Sequence, residues 1–255
     1  MTNLKDKTVL ITGASAGIGE AIAREFAEQG CRLILIARRF ERLQKLAEEL
    51  KTDTQLIELD IRDREAVEKA LSSLPENWQT IDILVNNAGL SRDLGKIYEA
   101  NPDGWEDMID TNIKGLLYVS RMVLLGMVER NSGHIINIGS IAGHEVYPKG
   151  HVYCATKFAV DAITKGMRMD LFDKNIRVST IDPGLVETEF SEVRFYGDAE
   201  RAKKVYQGYK ALEAKDIAES VVWVSTRPSH VQIAELIILP SDQASAAVLN
   251  RREVK

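Results

Sequence analysis

The sequence lacks the features that mark several large classes of protein. Its 255 residues include only two cysteines, Cys31 and Cys154, and neither lies in a Cys-x-x-Cys pair, so no disulfide framework is expected. No apolar run approaches the roughly 18 residues of a membrane-spanning helix, and the first residues show no signal-peptide pattern. The net charge of −5 leaves no basic surface for nucleic acid. These absences predict a cytoplasmic protein that binds neither membrane nor nucleic acid.

Repeats, low-complexity tracts and Gly/Ser-rich linkers are also missing, so residues 1–255 are interpreted as a single domain. Short apolar runs alternate with stretches of helical periodicity along the chain. Strands are predicted at 8–12, 32–37, 55–59, 81–85, 134–138, 176–181 and 235–239. Helices are predicted at 18–29, 39–50, 64–74, 105–130 and 152–172. This alternation predicts an α/β fold with one parallel sheet and helices on both faces.

One segment breaks the alternation. Residues 187–211 are polar and aromatic and follow a predicted strand. Because long excursions at strand ends often carry function, this segment is predicted to form a helical flap.

A glycine-rich turn follows the first strand and opens the first helix. Gly13, Gly17 and Gly19 have the spacing Gly-x-x-x-Gly-x-Gly, which departs from the more usual Gly-x-Gly-x-x-Gly, and Ser15 and Ile18 lie between them. Glycines permit a tight turn and a close backbone approach, and the helix N-terminus offers free N–H groups to an anion. The turn is therefore predicted to bind the pyrophosphate of a dinucleotide.

The end of the second strand indicates which dinucleotide binds. An acidic residue about 20 positions beyond the glycines would accept hydrogen bonds from a ribose 2′-hydroxyl. Arg38 and Arg39 stand there instead, and guanidinium groups suit a 2′-phosphate. The alternative is two solvated arginines at a helix start, a place that disfavours cations. We therefore predict NADP rather than NAD.

Two further strand ends are candidates for the rest of the cofactor. Asp60 and Ile61 end the third strand, where Ile61 would lie against adenine and Asp60 would bond its edge. Asp60 could equally be an acid at a helix N-terminus. Asn87, Ala88 and Gly89 end the fourth strand, and their small size lets the chain turn beside the ribose, although a plain turn has the same composition.

Tyr153 and Lys157 lie four residues apart in a predicted helix, and so on one helical face. A free tyrosine has a pKa of about 10 and is a poor base at neutral pH. A nearby lysine charge favours the phenolate and lowers that pKa, which makes the pair a candidate proton shuttle. Taken alone, the same spacing also occurs by chance on solvated helices.

These motifs together resemble the short-chain dehydrogenase/reductase family. The resemblance rests on the glycine turn, the Asn-Asn-Ala-Gly segment, Asn112, Ser140, the Tyr153–Lys157 pair and Pro183-Gly184, in the family's order and spacing over nearly the whole chain. It implies a single Rossmann-type, doubly wound domain with a seven-stranded parallel sheet. It also implies reversible hydride transfer between a nicotinamide and an alcohol or carbonyl, and a homotetrameric assembly.

The resemblance also implies roles for single residues. Tyr153 would be the general acid/base, and Lys157 would hold the nicotinamide ribose and lower the pKa of the tyrosine. Ser140 would orient the substrate oxygen, and Asn112 would keep a helix kink and a water relay to Lys157. Two plainer alternatives remain: Ser140 caps a turn, and Asn112 is a buried polar group of a helix.

The loop over the nicotinamide would begin at Pro183 and Gly184, pass through Val186 and reach Thr188, which would contact the carboxamide or the phosphates. His144 and His151 flank the predicted site, but the chemistry needs no metal and the spacing is not a ligand pattern. No metal is therefore predicted.

Segments 37–43, 127–131, 188–195 and 238–245 resemble the NADP-dependent 3-hydroxy acid dehydrogenases, a group that includes serine dehydrogenases. The implied substrates are serine, allo-threonine, 3-hydroxyisobutyrate and 3-hydroxypropionate, or the corresponding carbonyl compounds. Arg194, in the predicted flap, is the candidate partner for the substrate carboxylate, with a solvent-facing arginine as the alternative. A broad-specificity NADPH carbonyl reductase and a non-enzymatic dinucleotide sensor are the other functions considered.

Overall fold

Seven parallel strands form one sheet in the computed structural model, which describes residues 2–252. The strands are β1 (Thr8–Thr12), β2 (Arg32–Ala37), β3 (Thr54–Glu58), β4 (Ile83–Asn86), β5 (Gly133–Ile138), β6 (Ile176–Pro183) and, after two shorter strands, β9 (Glu235–Ile238). The shorter pair, β7 (Val186–Glu187) and β8 (Leu212–Glu213), lies outside this sheet. The predicted parallel sheet is confirmed.

The helices cover both faces of the sheet. They are α1 (Gly17–Glu28), α2 (Phe40–Glu49), α3 (Arg64–Ser72), α4 (Pro102–Ile109), α5 (Leu116–Glu129), α6 (His151–Asp170), α7 (Phe190–Arg194), α8 (Ala199–Val205) and α9 (Ala214–Ser225). Along β1, Val9 and Ile11 pack into the core shared with α1 and α9, whereas Leu10 packs into the core shared with α3 and α5. Burial on both faces explains why the strands are continuous apolar runs.

The strand order, β3-β2-β1-β4-β5-β6-β9, decides where a ligand binds. The chain runs outward from β1 through β2 to β3 and then returns to the other side of β1 as β4. At such a reversal the connections after neighbouring strands diverge and leave a crevice at the carboxyl ends of the strands. The glycine turn and the ends of β4, β5 and β6 all face this crevice.

The structure differs from the sequence prediction along the long helix. A single helix was predicted at 105–130, but α4 begins at Pro102 and gives way to a π-helical turn, Asp110–Gly115, before α5. A π-helical turn adds a residue to one turn without changing which residue types are apolar, so periodicity does not reveal it. Helix α9 and the β7–β8 pair were not predicted. Within residues 2–252, none of the helices is both long enough and apolar enough to span a bilayer.

Candidate active site

The glycine turn at the end of β1 forms an anion cradle. Gly13 and Gly17 have φ angles of +67° and +57°, in the left-handed region that favours glycine. A β-carbon at Gly13 would also lie 2.9 Å from the α-carbon of Ala88. The residue before α1, Ala16, has no side chain that caps the helix, so its first N–H groups are free for a ligand. This geometry fits a dinucleotide pyrophosphate.

Thr12 and Asn87 hold this cradle in place. Of the two, only Asn87 was predicted from the sequence as a cofactor-binding residue. The buried Thr12 hydroxyl accepts hydrogen bonds from the backbone N–H groups of Asn87 and Ala88, both at 3.0 Å. The Asn87 amide donates to the carbonyl oxygens of Thr12 at 2.9 Å and Gly13 at 3.2 Å. The end of β4 therefore braces the turn after β1, a contact between segments about 75 residues apart.

The arginines predicted to bind the 2′-phosphate lie at one end of the crevice. Arg38 is half-exposed, and its guanidinium is 3.9 Å from Asp60. Arg39 donates through Nε to the Ser15 hydroxyl at 3.3 Å and pairs through Nη1 with Glu189 at 2.9 Å. Arg42 pairs with the same carboxylate at 2.6 Å. Glu189, at the base of the predicted flap, is thus a member of this cluster that sequence reasoning missed.

The charges of this cluster set the pKa of Glu189. Partial burial pushes its pKa upward, but hydrogen bonds from Arg42 and Arg39 outweigh that effect and hold the pKa below its usual value. Glu189 is therefore ionised at neutral pH, and it keeps a negative charge close to the guanidinium groups.

Asp60 and Ile61 line the crevice where the adenine was predicted to bind. Asp60 accepts from Arg62 Nη2 at 2.7 Å and from Arg62 Nε at 3.0 Å. Burial raises the pKa of Asp60, but the hydrogen bonds and charge of Arg62 outweigh it, so the pKa is lowered. Ile61 is buried and presents an apolar surface.

Lys157 is buried in the wall of the crevice, where its Nζ donates to the carbonyl oxygen of Ile138 at 2.8 Å. The same nitrogen lies 5.9 Å from the ring centre of Tyr153. Burial lowers the pKa of Lys157 to about 8, and the charge of Asp182 acts in the opposite direction. The predicted pair therefore shares one helical face, with both side chains turned into the crevice.

Tyr153 is buried as well, and this burial raises the pKa of its phenol. The charge of Arg194 and hydrogen bonding with Ser140 counter the rise. The sequence suggested Lys157 as the cation that favours the phenolate. In the structure the cation that lowers the pKa of Tyr153 against the effect of burial is Arg194, whose guanidinium lies 5.7 Å from the Tyr153 ring centre, and the role of Lys157 stays a prediction.

Ser140 follows β5 and begins a 3₁₀ turn, Ile141–Gly143. Its hydroxyl accepts a hydrogen bond from the Ala142 N–H at 3.1 Å, and its own N–H donates to Asp182 Oδ1 at 3.1 Å. Ser140 also lines the crevice. It therefore caps a turn and faces the ligand space at once, so the two alternatives are compatible.

Asn112 lies in the π-helical turn and is buried. Its amide group accepts from the Leu90 N–H and donates to the Leu90 carbonyl oxygen, both at 2.9 Å, and donates to the Thr156 hydroxyl at 3.0 Å. These bonds tie the irregular turn to the start of the loop after β4 and to α6. The predicted water relay to Lys157 stays a prediction.

The loop after β6 covers the glycine turn. A β-carbon at Gly17 would lie 3.3 Å from the Thr188 β-carbon, so Thr188 stands directly over the anion cradle. Gln243 accepts from the Leu185 N–H at 2.9 Å and leaves no room for a side chain at Gly184. Gln243 was not identified from the sequence, because no local pattern connects the C-terminal region with this loop.

The flap supplies a buried cation to the crevice. Arg194 is only 8% exposed, and its guanidinium lies over the rings of Phe190, at 5.1 Å, and Tyr153. Within residues 2–252, its Nε has no hydrogen-bond partner and no carboxylate forms an ion pair with it. The expected solvent-facing alternative therefore does not describe its position. A buried cation of this kind calls for an anionic ligand.

The crevice is one cavity of about 480 Å³, a volume typical of small-ligand sites. It is lined by the predicted residues Gly13, Ser15, Gly17, Ile18, Arg38, Arg39, Asp60, Ile61, Asn87, Ala88, Gly89, Ser140, Tyr153, Lys157, Pro183, Gly184, Val186, Thr188 and Arg194. Gly19 and Asn112 stand behind this lining. Tyr147, Phe190 and Tyr206 also line the cavity and had not been singled out.

Comparison with known proteins identifies the family of this chain. Residues 7–197 match the short chain dehydrogenase family. The chain is 51% identical over 246 residues to the NADP-dependent 3-hydroxy acid dehydrogenase of Escherichia coli K12, which covers 96% of this chain and 99% of that protein. It is 42% identical over 258 residues to the NADP-dependent 3-hydroxy acid dehydrogenase of Schizosaccharomyces pombe, covering 99% of this chain and 100% of that one.

A solved structure is similar over the same length. The closed form of a serine dehydrogenase complexed with NADP+ superimposes with a TM-score of 0.92 at 51% identity, covering 96% of this chain and 100% of the other.

Proposed function

The chain belongs to the short-chain dehydrogenase family, and from that membership we propose that it oxidises the 3-hydroxyl of small hydroxy acids, reversibly, with NADP as the hydride carrier. That it is an NADP-dependent oxidoreductase acting on CH–OH groups follows from its relatives. The finer proposal concerns substrates of the serine, allo-threonine and 3-hydroxyisobutyrate type. A panel of 3-hydroxy acids and simple alcohols, assayed by the absorbance of reduced nicotinamide, tests it. Turnover of the alcohols alone would contradict it.

The proposed chemistry divides between cofactor and protein. The glycine turn with Arg38 and Arg39 would hold NADP+, which when bound would supply the acceptor for a hydride from the carbon that carries the hydroxyl group. Tyr153 takes the hydroxyl proton in oxidation and returns it to the carbonyl oxygen in reduction. Ser140 donates a hydrogen bond to the same oxygen, and the Lys157 charge favours the phenolate. Burial raises the pKa of Tyr153, so the phenol holds its proton at neutral pH, which is the form that reduction requires, and the charge of Arg194 counters the rise.

One observation carries the substrate class: among residues 2–252, the buried guanidinium of Arg194 has no carboxylate paired with it, and it lies beside the proposed general acid/base. A carboxylate bound there would form charge-assisted hydrogen bonds and remove the cost of burying the cation alone. A neutral ketone or aldehyde would leave the cation unpaired. The site therefore favours a hydroxy acid over the uncharged substrates of a broad carbonyl reductase.

Replacing Arg194 by methionine is expected to raise KM for L-serine by roughly 10- to 100-fold, because hydrogen bonds to a charged group contribute about 1.5–3 kcal/mol. Methionine keeps most of the packing against Phe190 and Tyr153. Steady-state kinetics at saturating NADP+ measures the effect.

Arg201→Met is the matched control, because Arg201 belongs to the same flap but pairs with Asp93 at 3.5 Å. Its KM should change little. A simple alcohol that the wild type oxidises is the second control. Because it has no carboxylate for Arg194 to bind, its KM should not depend on Arg194. Should KM for serine stay the same in Arg194→Met, the carboxylate site would have to lie elsewhere.

We further propose that residues 187–211 act as the flap of a single domain. Tyr206 supports this arrangement, because its hydroxyl lies 2.7 Å from that of Ser191 and donates to the Val186 carbonyl oxygen at 3.0 Å. These bonds hold α7, and with it Arg194, against the strand that leads into the flap.

We also propose a homotetramer. Exposed apolar side chains on α5, on α6 and just after α6 support it, since large apolar groups in water often mark subunit contacts. They are Leu117, Leu125, Val128, Phe158, Met169 and Phe172. Light scattering should give four times the chain mass of 28.5 kDa. A mass equal to one chain would contradict the proposal.

A further inference from the structure

A buried carboxylate lies directly behind Ser140. Asp182, in β6, is 2% exposed. Its Oδ1 accepts the Ser140 N–H at 3.1 Å, and its Oδ2 accepts the Thr180 hydroxyl at 2.7 Å. Any side chain at Gly139, the residue before Ser140, would overlap Oδ1. The turn that presents Ser140 is therefore shaped around this carboxylate.

The charged and titratable groups around Asp182 come from three elements. His144, after β5, places Nε2 3.3 Å from Asp182 Oδ2 and Nδ1 3.4 Å from Glu235 of β9. The charge of Asp182 raises the pKa of Lys157 in α6, and the charge of Glu235 raises the pKa of Lys165 in the same helix. The imidazole thus closes the outer side of the buried carboxylate and is itself partly open to solvent.

The buried ammonium group of Lys157 requires a negative charge nearby to stay protonated. Its ammonium group is buried against a neutral carbonyl oxygen, and in the described part of the chain no carboxylate forms an ion pair with it. Burial alone favours the neutral amine, whereas a negative charge nearby restores the ammonium form. Lys157 Nζ binds the carbonyl oxygen of Ile138 and Asp182 Oδ1 binds the N–H of Ser140, so the two groups flank the same three-residue segment. The charge of Asp182 raises the pKa of Lys157 against the larger effect of burial. Burial also raises the pKa of Asp182 itself, and the hydrogen bond from Thr180 counters that rise.

We propose that Asp182 is a positioning residue for the reaction: its carboxylate holds the turn that carries Ser140, and its charge keeps Lys157 an ammonium ion. The inference rests on the roles proposed for Ser140 and Lys157. His144 Nε2 lies 3.3 Å from Asp182 Oδ2, the oxygen that does not bind the Ser140 N–H. Asp182 touches neither the substrate nor the cofactor in this role.

A double-mutant cycle tests the charge coupling without any turnover. Asp182→Asn keeps an oxygen that can accept the Ser140 N–H, and Lys157→Met removes the ammonium group. At neutral pH, Lys157→Met should shift the urea midpoint differently when Asp182 is already Asn, since directly coupled charges give non-additive effects. Additive shifts would overturn the proposal.

The pH dependence of the rate is the second test. Removing a negative charge lets Lys157 and Tyr153 lose their protons more easily, so the whole profile of kcat/KM for oxidation should move to lower pH by about one unit in Asp182→Asn. A purely structural role would lower the rate at every pH without that displacement, and this outcome would overturn the proposal. Asp182→Ser should show the same displacement if the asparagine variant folds poorly.

Thr180→Val is the matched control, because it removes a hydrogen bond to the same carboxylate but leaves the charge. Its profile should not move to lower pH. Any alcohol that the wild type oxidises can serve as the substrate. A wild type that oxidises alcohols but no hydroxy acid would therefore count against the proposed function and leave this test intact.

Discussion

Replacing Tyr153 by phenylalanine is expected to lower kcat by roughly 10²–10⁴-fold, the usual contribution of a positioned general acid/base. The ring would still pack against Phe190, whose centroid is 5.8 Å away, so the fold around the site should persist. Only the group that exchanges the proton is lost. Steady-state turnover measures the loss, and calorimetric titration with NADP+ should give a dissociation constant close to that of the wild type.

Tyr147→Phe is the matched control for this prediction. Tyr147 lines the same cavity, and its buried hydroxyl has no hydrogen-bond partner in the described residues. Burial raises the pKa of its phenol, as it does that of Tyr153, so the two tyrosines differ in position and partners and not in the direction of that shift. Removal of the Tyr147 hydroxyl should cost less than about tenfold. If Tyr153→Phe retained comparable turnover, Tyr153 would not be the general acid/base.

The double replacement of Arg38 and Arg39 by alanine is expected to weaken NADP+ binding by roughly 10²–10³-fold, since each charge-assisted hydrogen bond to the phosphate contributes about 1.5–3 kcal/mol. NAD+ has no 2′-phosphate, so its dissociation constant should change little. The ratio of the two dissociation constants, measured by titration at fixed ionic strength, gives the contribution of the 2′-phosphate to binding.

Two single variants sharpen this test. Arg42→Ala removes a neighbouring guanidinium that holds Glu189 at 2.6 Å and was not predicted to meet the phosphate. It should weaken NADP+ binding much less than the double variant. Arg38→Ala is informative by itself, because the ion pair of Arg38 with Asp60 is long, at 3.9 Å. Equal losses of NAD+ and NADP+ affinity would show that the arginines support the fold and do not bind the 2′-phosphate.

The parallel sheet was predictable because its strands are buried on both faces. Such burial requires short continuous apolar runs, and these runs can be distinguished from the periodic pattern of a helix. The glycine turn and the pair of Tyr153 and Lys157 were predictable for a similar reason. In each case the chemistry needs residues that are close in sequence, on one turn or one helical face.

The long helix shows where local pattern fails. Its irregular turn at Asp110–Gly115 is held by Asn112, which bonds to Leu90 and Thr156, residues 22 and 44 positions away. Periodicity contains no trace of such bonds. The resemblance to a family supplied the idea of a kink here, but only the folded chain supplies its partners.

Residues that act through distant partners form the second group. Glu189 matters because the flap brings it to Arg39, 150 positions away, and Thr12 matters because Asn87 folds back onto it. Asp182 looks like an ordinary acid before a proline until β5 and β6 pair and place it behind Ser140. Each is an unremarkable residue type in its own segment.

By itself, the sequence determined the alternation of strands and helices, the anion cradle, the guanidinium groups that suit a 2′-phosphate and the shared face of Tyr153 and Lys157. Only the tertiary structure decided that Arg194 is buried beside Tyr153, that Glu189 pairs with Arg39 and Arg42, and that Asp182 lies behind Ser140. The physical reason is that backbone geometry and solvent exposure act over a few neighbouring residues. Charge pairing and desolvation, in contrast, depend on which distant segments the fold brings within a few ångströms.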